Sequence, residues 1–108
     1  MVYVLLGTGF EEIEAVAPVN LMRRAEIDVR FVGIDGDLIA GRSGIGVRAD
    51  VRIEEIRLDE LEMIVLPGGG GVDSIGASAP AVTAIKYAYE HQKYIAAICA
   101  APTLLGKL

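Results

Sequence analysis

The chain is short of the residues that define several large protein classes. It has one cysteine, so no intrachain disulfide can form, which fits a reducing compartment. It has one histidine, and one Cys with one His cannot assemble a zinc site of ordinary ligand number. No apolar run approaches the roughly 18 residues of a membrane span. The first residues lack the basic flank and long apolar core of a signal peptide, and cytoplasm is the expected compartment. Positive charge is scarce: 10 Lys and Arg against 15 Asp and Glu leave a net charge of −5. That balance argues against nucleic acid or anionic membrane as a partner. Internal repeats, linkers and low-complexity tracts are absent.

What is present is a core. Of 108 residues, 53 % are apolar and 23 % charged, the composition of one folded domain at most. Val2-Tyr3-Val4-Leu5-Leu6 reads as a buried strand ending at Gly7-Thr8-Gly9. Glu11 to Ala25 carries a helical pattern with Ile13, Val16, Ala17, Leu21 and Ala25 expected inward, Arg23 and Arg24 complementing the dipole in its last turn, and a bend at Pro18. Asp28–Gly33 is a second strand, giving a strand–helix–strand unit with a right-handed crossover. Residues 35–50 suggest a hairpin or short extra strands, and 51–61 a brief strand with a turn of helix. Glu62–Leu66 is another buried strand, running into Pro67 and four glycines, and Ser74–His91 turns helical with Val82, Ile85 and Ala88 inward.

Tyr94-Ile95-Ala96-Ala97-Ile98 then reads as a strand buried on both faces, followed by Cys99-Ala100-Ala101-Pro102-Thr103-Leu104-Leu105. Proline suits the first turn of a helix, so Cys99 stands at a sharp strand-to-helix turn, the setting of a nucleophile elbow. Such a turn needs small neighbours, which Ala97 and Ala101 supply. A lone cysteine in an apolar run is more often a small buried hydrophobe; this context argues for a reactive thiol, favoured as thiolate by the helix start. The whole pattern is an open α/β sheet covered by helices, whose ligands bind at the carboxyl ends of the strands. Three loops are expected to meet there: Gly7–Glu14, Pro67–Gly71 and the Cys99 turn.

Glu11, Glu12 and Glu14 bring three carboxylates to the first loop. Acidic residues are routine at helix starts, but the spacing separates them. Glu11 and Glu12 are expected to face solvent, while Glu14 turns toward the strand ends, where it can act as general acid/base beside the thiol. In the glycine run, the Gly69 amide can form an oxyanion site with the N–H of Ala100. The missing Lys-Ser/Thr ending argues against a phosphate loop, and a dinucleotide fingerprint at Gly7-Thr8-Gly9 is a weak match because Glu12 stands where the third glycine belongs. His91, in Glu90-His91-Gln92-Lys93, reads as a solvated helix end. Only Ala100–Leu108 follow the elbow, short of a typical helix of about 11 residues, so Leu104, Leu105 and Leu108 call for a facing layer from a further segment.

The motifs Gly9-Phe10-Glu11-Glu12-Ile13-Glu14, Pro18-Val19-Asn20-Leu21-Met22-Arg23-Arg24-Ala25, Val65-Leu66-Pro67-Gly68-Gly69 and Ala96-Ala97-Ile98-Cys99-Ala100-Ala101-Pro102-Thr103 together resemble the ThiJ/PfpI superfamily, particularly the branch of the Parkinsonism-associated deglycase. The resemblance implies a flavodoxin-like, three-layer α/β sandwich of the class I glutamine amidotransferase-like type, with residues 1–108 as the N-terminal part of a single domain, usually in a homodimer. It implies Cys99 as nucleophile, Glu14 as its carboxyl partner, and backbone N–H groups of Gly69 and Ala100 for an oxyanion. Ala101 replaces the glycine often found after Cys-Ala, and the family's downstream histidine has no counterpart in these residues. The implied chemistry is cofactor-free and metal-free, on a small 2-oxoaldehyde or a glycated substrate (glyoxalase or deglycase). Two other readings are a stress sensor or chaperone with Cys99 oxidised to a sulfinate, and an intracellular peptidase.

Overall fold

Two apolar runs without a polar interruption, Val2–Leu6 (β1) and Met63–Leu66 (β6), lie side by side at the centre of a sheet in the computed structural model, which describes residues 1–108. All five residues of β1 are buried, and they divide by the period of two that a strand imposes. Val2, Val4 and Leu6 enter one core, with Phe10, Ala15, Val19 and Phe31. Tyr3 and Leu5 enter the other, with Ile64, Leu66, Ile75 and Ile85. A strand with helices on both faces has no solvent side, hence the unbroken apolar run.

The remaining strands are Val29–Gly33 (β2), Leu38–Ala40 (β3), Gly46–Arg48 (β4), Val51–Arg52 (β5) and Tyr94–Ala97 (β7). The main sheet runs β5-β2-β1-β6-β7, every pairing parallel, with Val2 opposite both Val29 and Met63 and with Met63 opposite Tyr94. β3 and β4 form a separate antiparallel hairpin, anchored by Ile39 in the first core. That core is covered by helix α1 (Glu12–Arg24); the second is covered by α2 (Gly71–Ala77), α3 (Ala79–Glu90) and α4 (Pro102–Lys107). The expected α/β architecture with a mostly parallel sheet is therefore observed.

α1 is capped by Glu11, whose carboxylate accepts the Glu14 amide at 3.0 Å, and it continues through Pro18. It ends in a Schellman turn: Ile27 N–H donates to Met22 O, Glu26 N–H donates to Arg23 O, and Glu26 takes φ 62° where glycine is usual. α3 ends the same way, with Gln92 at φ 57°.

Four details differ from the sequence reading. The face of α1 turned to the sheet is Glu12, Ala15 and Val19, whereas Ile13 is 74 % and Leu21 62 % exposed; the helix has two apolar stripes, and only one can meet the sheet. Gly71–Ala77 forms a short helix of its own before α3. β5 joins the main sheet, a pairing the reading of 51–61 does not assign, so Cys99 follows the last of five parallel strands. β7 is an edge strand, with Tyr94 77 % exposed and its other residues half-buried, because no strand pairs with its outer side.

Candidate functional site

From β1 the chain crosses to β2 on one side, and from β6 to β7 on the other, so the strand order reverses between β1 and β6. A crevice opens at the carboxyl ends of strands wherever this happens. Three segments close on it: Gly7–Glu11 after β1, Pro67–Gly70 after β6 and Ile98–Ala101 after β7. Backbone pairing stitches them together. Phe10 and Gly69 form an isolated antiparallel bridge, Glu11 N–H donates to Gly68 O at 3.0 Å, and Ile98 N–H donates to Leu66 O at 3.3 Å.

Gly68 is the meeting point. Its N–H donates to Glu14 Oε1 at 2.9 Å. A Cβ added at Gly68 would stand 2.6 Å from that same oxygen and 2.8 Å from Cys99 Cβ. Glu14 Oε1 and Cys99 Cβ therefore both crowd the space beside one glycine, which admits no larger residue. No hydrogen bond joins the Glu14 carboxyl to the sulfur, and Cys99 is exposed.

The backbone at Cys99 is left-handed, φ 60°, a conformation that costs a residue with a Cβ on the order of 1–3 kcal/mol. The turn is held on both sides. Ala101 N–H donates to Ile98 O at 3.1 Å, and the Thr103 hydroxyl donates to Ala100 O at 2.6 Å. Ala101 is fully buried, which accounts for its small size. Neither the Gly69 nor the Ala100 amide is engaged by a carbonyl or side chain of the chain; both are free donors.

Glu12 departs from expectation. It is the only buried charged residue, 5 % exposed, and it reaches the loop between β3 and β4. There its Oε2 accepts the Ser43 amide at 2.8 Å and the Ile45 amide at 3.2 Å. Burial by itself pushes this carboxyl's pKa up, but hydrogen bonds from its own amide and those of Ser43 and Ile45 outweigh that and hold it below the ordinary value of 4.5. Its partners lie 31 and 33 residues away, so nothing in the local pattern marks it. Thr103 is a further contributor that the motif does not single out, although Ser and Thr often tie such turns. His91 sits at the end of α3, three residues before β7 begins and hence at the opposite end of the sheet from Cys99, stacked on Tyr87 at 3.8 Å. No group of three or more His, Cys, Asp or Glu side chains is placed to hold a metal ion, and no helix is long and apolar enough to cross a membrane.

A family model described as DJ-1/PfpI family matches the chain from residue 1 to residue 108. The chain belongs to the DJ-1/PfpI family. Among the curated relatives, the protein dj-1beta of Drosophila melanogaster is 33 % identical over 106 residues, covering 96 % of this chain and 57 % of the fly protein. Its crystal structure superposes with a TM-score of 0.93 at 32 % identity, over 98 % of this chain and 58 % of that one. Deglycase TK1284 of Thermococcus kodakarensis is 30 % identical over 104 residues, 96 % of this chain and 63 % of the archaeal protein. The structure of oxidised Toxoplasma gondii DJ-1 matches with a TM-score of 0.90 and 33 % identity, over 95 % of this chain and 57 % of that one. The chain thus spans less than two thirds of the length of these DJ-1/PfpI relatives.

Proposed function

We propose that this DJ-1/PfpI chain carries the reacting groups of a cysteine-dependent, cofactor-free enzyme acting on small reactive carbonyls, a glyoxalase or deglycase. The observation that carries the reading is Gly68, beside which both Glu14 Oε1 and Cys99 Cβ are set. Relatives that bear the name deglycase support the substrate class.

With methylglyoxal, the Cys99 thiolate adds to the aldehyde carbon. A C–S bond forms, and the carbonyl oxygen takes a proton to give a hemithioacetal. The free amides of Gly69 and Ala100 stabilise the oxygen while it carries charge. Glu14 removes the proton from the carbon bonded to sulfur and returns it to the neighbouring carbonyl carbon, while the hemithioacetal hydroxyl passes its proton to the ketone oxygen, leaving a thioester of lactic acid. Oxidation at one carbon balances reduction at the next, so no external oxidant enters. Water then cleaves the C–S bond, releasing lactate and the thiol. Because Glu14 Oε1 accepts the Gly68 N–H, Oε2 is the oxygen left to carry the shuttled proton. Binding draws the thiol and carboxyl into hydrogen-bond reach, as catalytic hydrogen bonds commonly tighten with substrate in place. The test is aldehyde consumption by parent and Cys99→Ala chains. An unchanged rate in the variant overturns the reading.

A second reading is favoured by the exposure of Cys99 and by the oxidised state named for the Toxoplasma relative. Here two equivalents of peroxide convert the thiol to a sulfinate that Glu14 and nearby amides hold, as a stress sensor or chaperone requires. A stable gain of two oxygens on Cys99 under mild peroxide, without aldehyde turnover, would favour sensing.

Assembly belongs to the same proposal. The outer stripe of α1 and Ile45 line an open groove of about 540 Å³; a second copy covers it in a homodimer. Residues 1–108 act as the N-terminal part of one domain, and a further segment covers the β7 edge beside Tyr89, Ile95 and Leu108. A monomeric sedimentation profile at micromolar concentration would exclude the dimer. The cytoplasm is the proposed compartment, and loss of the protein from a cytosolic fraction would exclude it.

A further inference from the structure

The loop that brings Glu14 to the crevice is held from two sides. On the inner side the glycine run grips it, through the Phe10–Gly69 bridge and the Glu11 amide. On the outer side the hairpin grips it: Gly9 N–H donates to Ala40 O at 2.8 Å, and Arg42 N–H donates to Phe10 O at 2.9 Å. Glu12 completes this outer grip, for its carboxylate enters the hairpin tip and takes two amides there. The fit is close enough to dictate a residue on the far side. A Cβ at Gly41 would come within 2.4 Å of the Glu12 carboxyl carbon.

The Ser43 and Ile45 amides stabilise the charge, but on only one of its two oxygens. Glu12 Oε1 is buried without any donor, and a buried carboxylate with an unfilled oxygen is an expensive way to tie down a loop. What the arrangement supplies is placement. Glu12 and Glu14 share the first turn of α1, so whatever fixes Glu12 against the hairpin also fixes where Glu14 meets Gly68.

We propose that Glu12 is a positioning residue: clamped by the Ser43 and Ile45 amides over Gly41, it locks the first turn of α1 so that Glu14 stays on the Gly68 N–H beside Cys99. This deepens the reading of Glu14 and Cys99 given above and rests on it for its catalytic meaning. Glu12 touches no reacting atom, and its effect is transmitted entirely through Glu14.

The experiment is amide hydrogen exchange on the full protein that carries this chain, with the alkylation rate of Cys99 against pH as a second readout. In Glu12→Ala, exchange at Ser43, Ile45 and Gly68 is expected to quicken together, by roughly tenfold, as for the loss of a typical hydrogen bond. Val4 and Val65 in the central strands should keep their parent rates, and the alkylation profile should shift. Glu12→Gln retains an acceptor oxygen and should leave Gly68 near the parent rate. If Glu12→Ala does not fold, Gly41→Ala expels the carboxylate without altering it and should reproduce the coupled change. The proposal is overturned if Ser43 and Ile45 are released while Gly68 exchange and the alkylation profile stay put. It is overturned equally if every amide quickens alike. Gly68 exchange reports the seat of Glu14 whether or not aldehyde is consumed, so coupled exchange in an inactive chain would refute the proposed reaction and leave the clamp standing.

Discussion

The Gly68 amide lies 2.9 Å from Oε1 of Glu14, and this one hydrogen bond joins the glycine run after β6 to the first turn of α1. Through it, a carboxylate from the start of the chain is fixed beside a thiol from near its end.

Gly68→Ala is the most direct challenge to that relationship. The new methyl would overlap both Glu14 Oε1 and Cys99 Cβ, forcing the two apart. Aldehyde consumption should fall by about 100-fold or more, the scale of a misplaced catalytic group. Stability should drop by roughly 1–3 kcal/mol from overpacking. Steady-state kinetics and urea denaturation on the same preparation check both.

Glu14→Gln separates holding from proton transfer. The amide oxygen still accepts the Gly68 N–H, so the melting temperature should stay close to the parent value. Methylglyoxal turnover should fall by roughly 10²–10⁴, the range for loss of a general acid/base. A variant that keeps its rate would remove Glu14 from the mechanism.

Glu26→Gly tests the end of α1 independently of any activity. Glu26 occupies a left-handed position that penalises its Cβ by about 1–2 kcal/mol. Glycine relieves this but loosens the unfolded chain, leaving an expected net gain of about 0.5–1 kcal/mol. Chemical denaturation should show a higher midpoint with an unchanged slope.

Acid unfolding should report Glu12. Its carboxyl is held below the ordinary value of 4.5 in the folded chain, so its contribution is complete above that pH. The contribution is lost as pH falls through the lower folded value. Melting temperatures measured from pH 6 down to about pH 3 should therefore decline less steeply below pH 4.5 in Glu12→Gln than in the parent. Parallel curves would assign the acid sensitivity elsewhere, with Asp37, held low by its Arg52 partner, as the next candidate.

Much of the architecture is legible in the residue order. β1 and β6 are short apolar runs closed by Gly7 and by Pro67 with the glycines after it, a signature with few other readings, and β2 follows from its spacing after a helix with marked ends. The parallel sheet, and hence the crevice at its carboxyl edge, follows from the alternation of strand and helix. The facing of α1 is not legible, because Ala15, Val19 and Met22 repeat with the same period as Ile13, Val16, Ala17 and Leu21, and only tertiary contact decides between them. The exposure of β7 is hidden for a related reason: an apolar strand looks the same whether or not a neighbour covers it. Glu12 reads as solvated because a helix start excuses any acid, and the amides that bury it belong to a distant hairpin.

The left-handed backbone at Cys99 has a further consequence for how this chain tolerates mutation. Glycine would sit there without strain, so an inventory of stabilising substitutions would rank replacement of the cysteine among the gains. The fold and the thiol thus pull in opposite directions at one residue, and what keeps sulfur there must be something other than the demands of folding.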